Sequence, residues 1–190
     1  MMTRRAALLL PLLLAGCGSR EKRTFPPLRY DHLLPLQLNV AAIAIEQRFA
    51  PSNASPDVSQ YAPVSPLRAL RTMAEDRLQA LGSGGQATFI IQDASLTRRR
   101  DTLSGSFAVQ LDVRGAPGAL GAPTGYARAQ VSGSYTGDLG DLSGPLYDLT
   151  KDLMDRMNVE FEYQVRRSLA AWLVPAGANR APVEQQPLTR

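Results

Sequence analysis

The stretch Leu103-Ser-Gly-Ser-Phe107-Ala-Val109-Gln-Leu111-Asp-Val113 decides the fold. Leu103, Phe107, Val109, Leu111 and Val113 share one parity, while Ser104, Ser106, Gln110 and Asp112 share the other. Side chains alternate across a strand, so this pattern describes a sheet with one buried face and one wet face. Working outward, Ala87 to Ala94 carries Phe89-Ile90-Ile91 and reads as the preceding strand. Tyr126 to Tyr135 reads as the following one. Gly133 is expected at a bulge or a close backbone contact. The segment from Gly115 to Pro123, rich in Gly, Ala and Pro, is too flexible to belong to the core.

Two helices flank these strands. Ser65-Pro66 supplies an N-cap and a first-turn proline. Leu67, Leu70, Ala74, Leu78 and Leu81 then form one apolar stripe, with Gly82 expected as the residue that closes the helix. The second helix follows Ser143-Gly144-Pro145 and carries Leu146, Leu149, Leu153, Met157, Phe161, Val165, Leu169 and Trp172 on its stripe. Running to Trp172, it would span roughly 40 Å. Its outer face pairs charges four residues apart: Lys151–Asp155, Arg156–Glu160 and Glu162–Arg166. Upstream, Leu36 to Ile45 is nearly continuous apolar sequence, as in a strand buried on both faces. Gln47 to Val64, with Pro51, Pro56 and Pro63, reads as a long loop.

The order is strand, helix, three strands, helix. We therefore expect an α+β domain, β-α-β-β-β-α, built on an antiparallel or mixed sheet of about four strands. One helix cannot cover such a sheet, so both are expected on its apolar face.

The N-terminal part has a different character. Met1-Met-Thr-Arg4-Arg5 precedes an apolar run from Ala6 to Ala15 and then Gly16-Cys17-Gly18-Ser19. A positive start, a short apolar run and small residues form a secretory signal. The run falls well short of the roughly 20 residues that cross a bilayer. Arg4-Arg5 leaves general or twin-arginine export open. Leu14-Ala15-Gly16-Cys17 resembles the lipobox of bacterial lipoproteins, which implies cleavage before Cys17 and acylation of its thiol. Cys17 is the only cysteine, so no disulfide is available to the exported chain. The expected organisation is a signal over residues 1–16, a lipid-attached tether over 17–35, one domain over 36–175 and a disordered tail over 176–190. Arg20-Glu21-Lys22-Arg23, Pro26-Pro27 and Pro35 give the tether its charged and proline-punctuated character.

The formal net charge of +4 overstates how basic this protein is. Without residues 1–16, Lys plus Arg falls from 21 to 19 against 17 acids, leaving +2 before the termini are counted. That is too little for a nucleic-acid partner. A length that suits one domain still buries about two thirds of its unfolded surface.

Catalytic chemistry has little to build on. His32, the only histidine, lies in the tether, and a nucleophile–base device needs a rigid scaffold. No second His or Cys can share a metal with it. Gly82-Ser83-Gly84-Gly85 follows a helix and precedes a strand, the reverse of a phosphate-binding loop. Asp148, Asp152 and Asp155 fall beside complementary cations on a solvated helix face. We expect no enzyme activity and no cofactor. Arg98-Arg99-Arg100 sits in the turn between two strands and is the candidate contact for an anionic ligand, since guanidinium recognises phosphate and carboxylate with two parallel donors. A solvated turn that blunts edge pairing is the alternative.

The lipobox, the proline tether and the element order over roughly Leu36 to Leu173 resemble the lipopolysaccharide-assembly lipoprotein that plugs an outer-membrane barrel. They also resemble, more distantly, the auxiliary lipoproteins of lipid-trafficking ABC transporters. No motif beyond Leu14–Cys17 matches, and the charged segment after Cys17 departs from the aromatic start associated with the first family. The resemblance implies a non-catalytic envelope accessory in outer-membrane or lipopolysaccharide assembly or lipid transport. Its partners would be the membrane, through the anchor, and an outer-membrane barrel or transporter component, with an anionic glycolipid as a further ligand. A periplasmic module binding lipid or a small molecule is the alternative. Gly18 is not the acidic residue that resembles an inner-membrane retention signal, so the outer membrane, facing the periplasm, is the expected location.

Overall fold

The alternating stretch forms the centre of the main sheet. The computed structural model describes residues 23–52, 54–115 and 123–174. Its elements are β1 (Leu36–Leu38), β2 (Ala42–Gln47), α1 (Pro66–Arg77), β3 (Leu78–Ala80), β4 (Gln86–Arg99), β5 (Thr102–Arg114), β6 (Thr124–Thr136) and α2 (Ser143–Ser168). Single 3₁₀ turns lie at Ser59–Tyr61 and Ala170–Trp172. The sheet runs β2-β4-β5-β6, with β2 parallel to β4 and the other pairs antiparallel. This is the expected α+β class with a mixed four-stranded sheet. Both helices contribute to one apolar core: Leu70 and Met73 from α1 and Leu153, Met157 and Phe161 from α2 join Phe89, Phe107, Val109 and Leu111. Phe161 meets Phe89 edge-on at 5.4 Å between ring centres.

Beta-four changes parity in mid-strand. Phe89 and Ile91 face the helices, yet so do Ala94 and Leu96. The register slips between Ile91 and Asp93, where one extra residue is accommodated. A bulge flips every later side chain to the other face. It thereby lets a strand of 14 residues keep its apolar set inward along its whole length. Gly133, where a bulge or close contact was expected, is regularly paired with Gly105, and both lie close beneath α2. A Cβ added to Gly105 would meet Leu153 Cδ1 at 2.4 Å and Leu96 Cδ2 at 2.9 Å. Glycine here lets α2 lie against the sheet.

Three expectations need correction. Leu36 to Ile45 is not one doubly buried strand: it breaks at residues 39–41 into β1 and β2. β2 is an edge strand that turns only Ile43 and Ile45 towards the core. The first helix stops at Arg77, and Leu78–Ala80 pairs with β1 in a two-stranded parallel sheet. Leu81 is 42% exposed, and Gly82 is not a helix cap. There the chain runs close alongside residues 39–40: the Gly82 amide donates to the Val40 carbonyl at 2.9 Å, and a Cβ there would lie 2.5 Å from the Asn39 carbonyl carbon. Finally, residues 23–35 are not a free tether. From Arg23 onward they form a strap across both helices, with Tyr30 only 4% exposed.

The Ser65 cap is present, its hydroxyl accepting from the Arg68 amide. On α2, Lys151–Asp155 and Glu162–Arg166 pair as expected, whereas Arg156 turns to Asp152 and to the Ser132 carbonyl. Glu160 instead accepts from Gln164.

Candidate functional site

A two-residue turn, Arg100-Asp101, joins β4 to β5 between the paired residues Arg99 and Thr102. Such short turns match strand twist only with positive φ at a central residue, and Arg100 takes φ 54°. A non-glycine residue rarely adopts that conformation. The Arg98 side chain braces it, Nε donating to the Arg100 carbonyl at 3.2 Å. The three arginines do not converge. Arg98 pairs with Leu103, whose side chain faces the helices, and Arg99 pairs with Thr102 on the opposite parity. Arg98 and Arg100 line a groove of about 450 Å³ with Pro56, Asp57, Val58 and Tyr61. None of the three arginines makes an ion pair among the described residues.

The register places this turn at the end of the molecule where the strap begins. Arg98 pairs with Leu103 and Leu103 with Tyr135, so Tyr135 stands two strand spacings, about 10 Å, from Arg98. α2 starts just after β6 and folds back along it, with Leu153 and Arg156 over Gly133 and Leu169 over Gly125. Its first turns therefore lie at the Arg98–Asp101 end. There Arg23 binds Asp148 through both terminal guanidinium nitrogens, one at 3.1 Å, and its guanidinium carbon lies 5.5 Å from the centre of the Phe25 ring. The hydrogen bond to Asp148 raises the Arg23 pKa above its ordinary value, and Tyr135 also acts on its charge.

From Arg23 the strap runs along both helices. Phe25 packs on Tyr147 at 5.2 Å, and the Tyr147 hydroxyl donates to the Pro26 carbonyl at 3.1 Å. Asp76 of α1 is the second fastening: its carboxylate accepts from Arg29 Nε at 2.9 Å, from a terminal Arg29 nitrogen at 2.7 Å and from the Tyr30 amide at 2.8 Å. Burial opposes ionisation of Asp76. The donors from Arg29 and Tyr30 outweigh it and hold the carboxyl below its ordinary value. Between strap and α2 lies a cleft of about 480 Å³, lined by Pro26, Leu28, Leu33, Tyr147, Asn158 and Val159 among others. On two of its lining residues, the Tyr30 hydroxyl and both polar atoms of the Asn158 amide are buried without a partner among the described residues. Burial is also the main reason the Tyr30 hydroxyl pKa is strongly raised. His32 borders the same cleft, is exposed, and lies 6.4 Å from the Tyr30 ring.

The opposite face of the sheet is polar. Gln110 is its hub: it accepts from Gln92 at 3.0 Å and from Arg128 at 2.8 Å, and donates to Asp112 at 2.6 Å. β6, the last strand, has a neighbour in the sheet on one side only. Under the helices, Arg77 is 2% exposed and pairs with Glu162. Of the three arginines only Arg100 lies in the turn, while Arg98 and Arg99 are the last paired residues of β4, and the strap has no counterpart among the expectations. The composition of residues 23–35 is that of a linker, and its one signal was the aromatic pair Phe25 and Tyr30 amid prolines. Cys17 lies outside the described residues. Among those residues no helix is long and apolar enough to cross a membrane.

No family model matches this sequence, and no curated protein matches it. Two solved structures overlap it in part. One is a protein of Caulobacter crescentus CB15 named as a lipoprotein, 16% identical, covering 65% of this chain and 85% of its own, with a TM-score of 0.34. The other is a minor lipoprotein of Acinetobacter baumannii, 12% identical, covering 69% of this chain and 96% of its own, with a TM-score of 0.28. Overlap at that level carries no weight for either fold or role.

Proposed function

We propose that this protein is a lipid-anchored, non-catalytic lipoprotein of the bacterial cell envelope. It would serve as an accessory in outer-membrane or lipopolysaccharide assembly or in lipid transport. The observation that carries the reading is the junction between lipobox and fold: Arg23, the first residue fastened to the domain, follows Cys17 by six residues. That leash reaches at most about 22 Å, so a lipid on Cys17 would hold the domain at the membrane by the end that carries Asp148 and Tyr147. The unpaired side of β6 and the polar sheet face remain for a protein partner. The Cys17→Ser variant tests the anchor, and it should leave the membrane fraction or accumulate uncleaved. An uncleaved precursor keeps its apolar leader in the membrane, so the deciding case is the cleaved form: a cleaved variant that partitions like the wild type would refute the reading. Loss of the protein should also weaken the outer-membrane barrier to hydrophobic antibiotics, and an unchanged barrier would refute the assembly role.

A second reading, a module binding lipid or a small molecule, is favoured by one feature. The strap cleft is mostly apolar, and two residues that border it carry three buried polar atoms without partners among the described residues; such atoms usually find a partner in protein, water or ligand. Tyr30→Phe should then weaken uptake of a fluorescent acyl-chain probe. Equal uptake would leave the cleft a structural feature of the strap.

A further inference from the structure

We infer that the arginine turn is a membrane-contacting tip: Arg98, Arg99 and Arg100 engage phosphates of the same bilayer that receives the Cys17 lipid. This rests on the anchored reading above. Three observations carry it. The turn and the start of the strap share one end of the molecule: Arg98 is two strand spacings from Tyr135 at the end of β6, and Arg23 lies against Gly144 and Asp148 in the first turns of α2, just after β6. The leash of at most about 22 Å is shorter than the roughly 39 Å of α2, so this end, and not the end at Arg114 and Thr124, is kept near the lipid.

The arginines are also available. Arg98, Arg99 and Arg100 form no ion pair among the described residues; Arg68, Arg71, Arg114, Arg128 and Arg167 form none either, but the first three are consecutive and stand at the end where the strap begins. Nearby acids are partly engaged elsewhere: Asp57 accepts from the Ser59 amide at 2.8 Å and Asp138 from the Gly140 amide at 2.9 Å. Asp101 stands beside the arginines and offsets part of their charge.

The splay of the side chains chooses between phosphate sources. Arg99 leaves on the face opposite Arg98, whereas Arg98 and Arg100 line one groove, so the three guanidiniums do not close on a single point. A cradle for one free phosphate needs converging donors. Diverging guanidiniums suit a plane of headgroups, each of which takes a fork of two parallel hydrogen bonds.

The test uses the full acylated protein in vesicles. The Cys17 thiol is taken up by the lipid, so Ser104→Cys near the turn and Thr124→Cys at the far end each accept one fluorophore. Collisional quenching by headgroup-spin-labelled lipid reports which end lies down. We expect stronger quenching at Ser104→Cys in vesicles of phosphatidylcholine with phosphatidylglycerol than in phosphatidylcholine alone. Each unopposed arginine should change the tip-down population by about fivefold, the equivalent of about 1 kcal/mol per basic residue. The excess should vanish in 1 M salt, where screening acts over about 3 Å, and in a variant with all three arginines changed to Ser. Undiminished quenching in that variant would overturn the inference while leaving the anchor intact. Displacement by inorganic phosphate at constant ionic strength would overturn the bilayer assignment in favour of a free-phosphate site. If the wild type failed to sediment with any vesicle, the anchored reading itself would fall.

Discussion

Asp76→Ala should release the strap without unfolding the domain. The Asp76 side chain is 7% exposed and receives three hydrogen bonds. Those from Arg29 are left out, because its side chain is 54% exposed and solvent screens the pair. The charge-assisted bond from the Tyr30 amide contributes about 2 kcal/mol. That is roughly a thirtyfold increase in strap opening. The readout is amide exchange at Leu33, whose N–H donates to the Tyr30 carbonyl at 3.0 Å, compared with Val109 in the core. Leu33 should exchange about thirtyfold faster and Val109 at the wild-type rate. The pH dependence has a definite sign. Asp76 has a folded pKa below its ordinary 3.8, so its contribution is complete above that value and is lost as pH falls through the lower folded value. Wild type and variant should therefore converge in acid. Equal acceleration at both amides, or none at Leu33, would refute the fastening. Under the proposed anchor, release would matter for function: a leash from Cys17 to Leu36 spans nineteen residues, roughly 65 Å, and would no longer hold one end of the domain at the membrane.

Three further outcomes follow from the packing. Phe107→Ala, at a fully buried site, should cost about 3–5 kcal/mol by denaturant unfolding, whereas Gln110→Ala, on the polar face, should cost only about 1 kcal/mol for its network. Similar values at both would mean the sheet is covered on both sides. Gly105→Ala should lose about 1–3 kcal/mol as Leu153 and Leu96 give way, and a variant as stable as wild type would show that α2 has room to lift. Arg77→Met should be neutral or stabilising in thermal melts, because the buried guanidinium also leaves Nε unpartnered. Glu162→Ala should be the more damaging of the two, since it strands that charge. The opposite ranking would refute the argument.

Much of this fold can be read along the chain because its cause is local. The alternation from Leu103 to Val113, the Ser65-Pro66 cap and the stripe from Leu146 to Val165 each need only periodicity and a capping oxygen. Errors arose where a distant segment overruled the local pattern. Leu78 continues the helical stripe, but β1 offers it a parallel partner and the helix ends one residue earlier. Ala94 ended the expected strand because the bulge at residues 91–93 inverts the parity on which that reading depended. Of the candidate site, a hairpin junction near Arg98–Arg100 was legible, although only Arg100 lies in the turn itself. Their divergence was not, since it depends on pairing with Leu103 and Thr102.

The sequence by itself determined the α+β class, the two helices and the strand that centres the sheet, and it carries the lipobox-like pattern ending at Cys17. These are written in short-range spacing of apolar and small residues. Tertiary structure alone decided that residues 23–35 are a strap, because Asp76, Tyr147 and Asp148 become their partners only when α1 and α2 lie side by side. It also decided that the strap begins at the same end as the arginine turn. That coincidence depends on the antiparallel register of β4, β5 and β6 and on the direction in which α2 folds back, and neither is encoded within any single stretch of the chain.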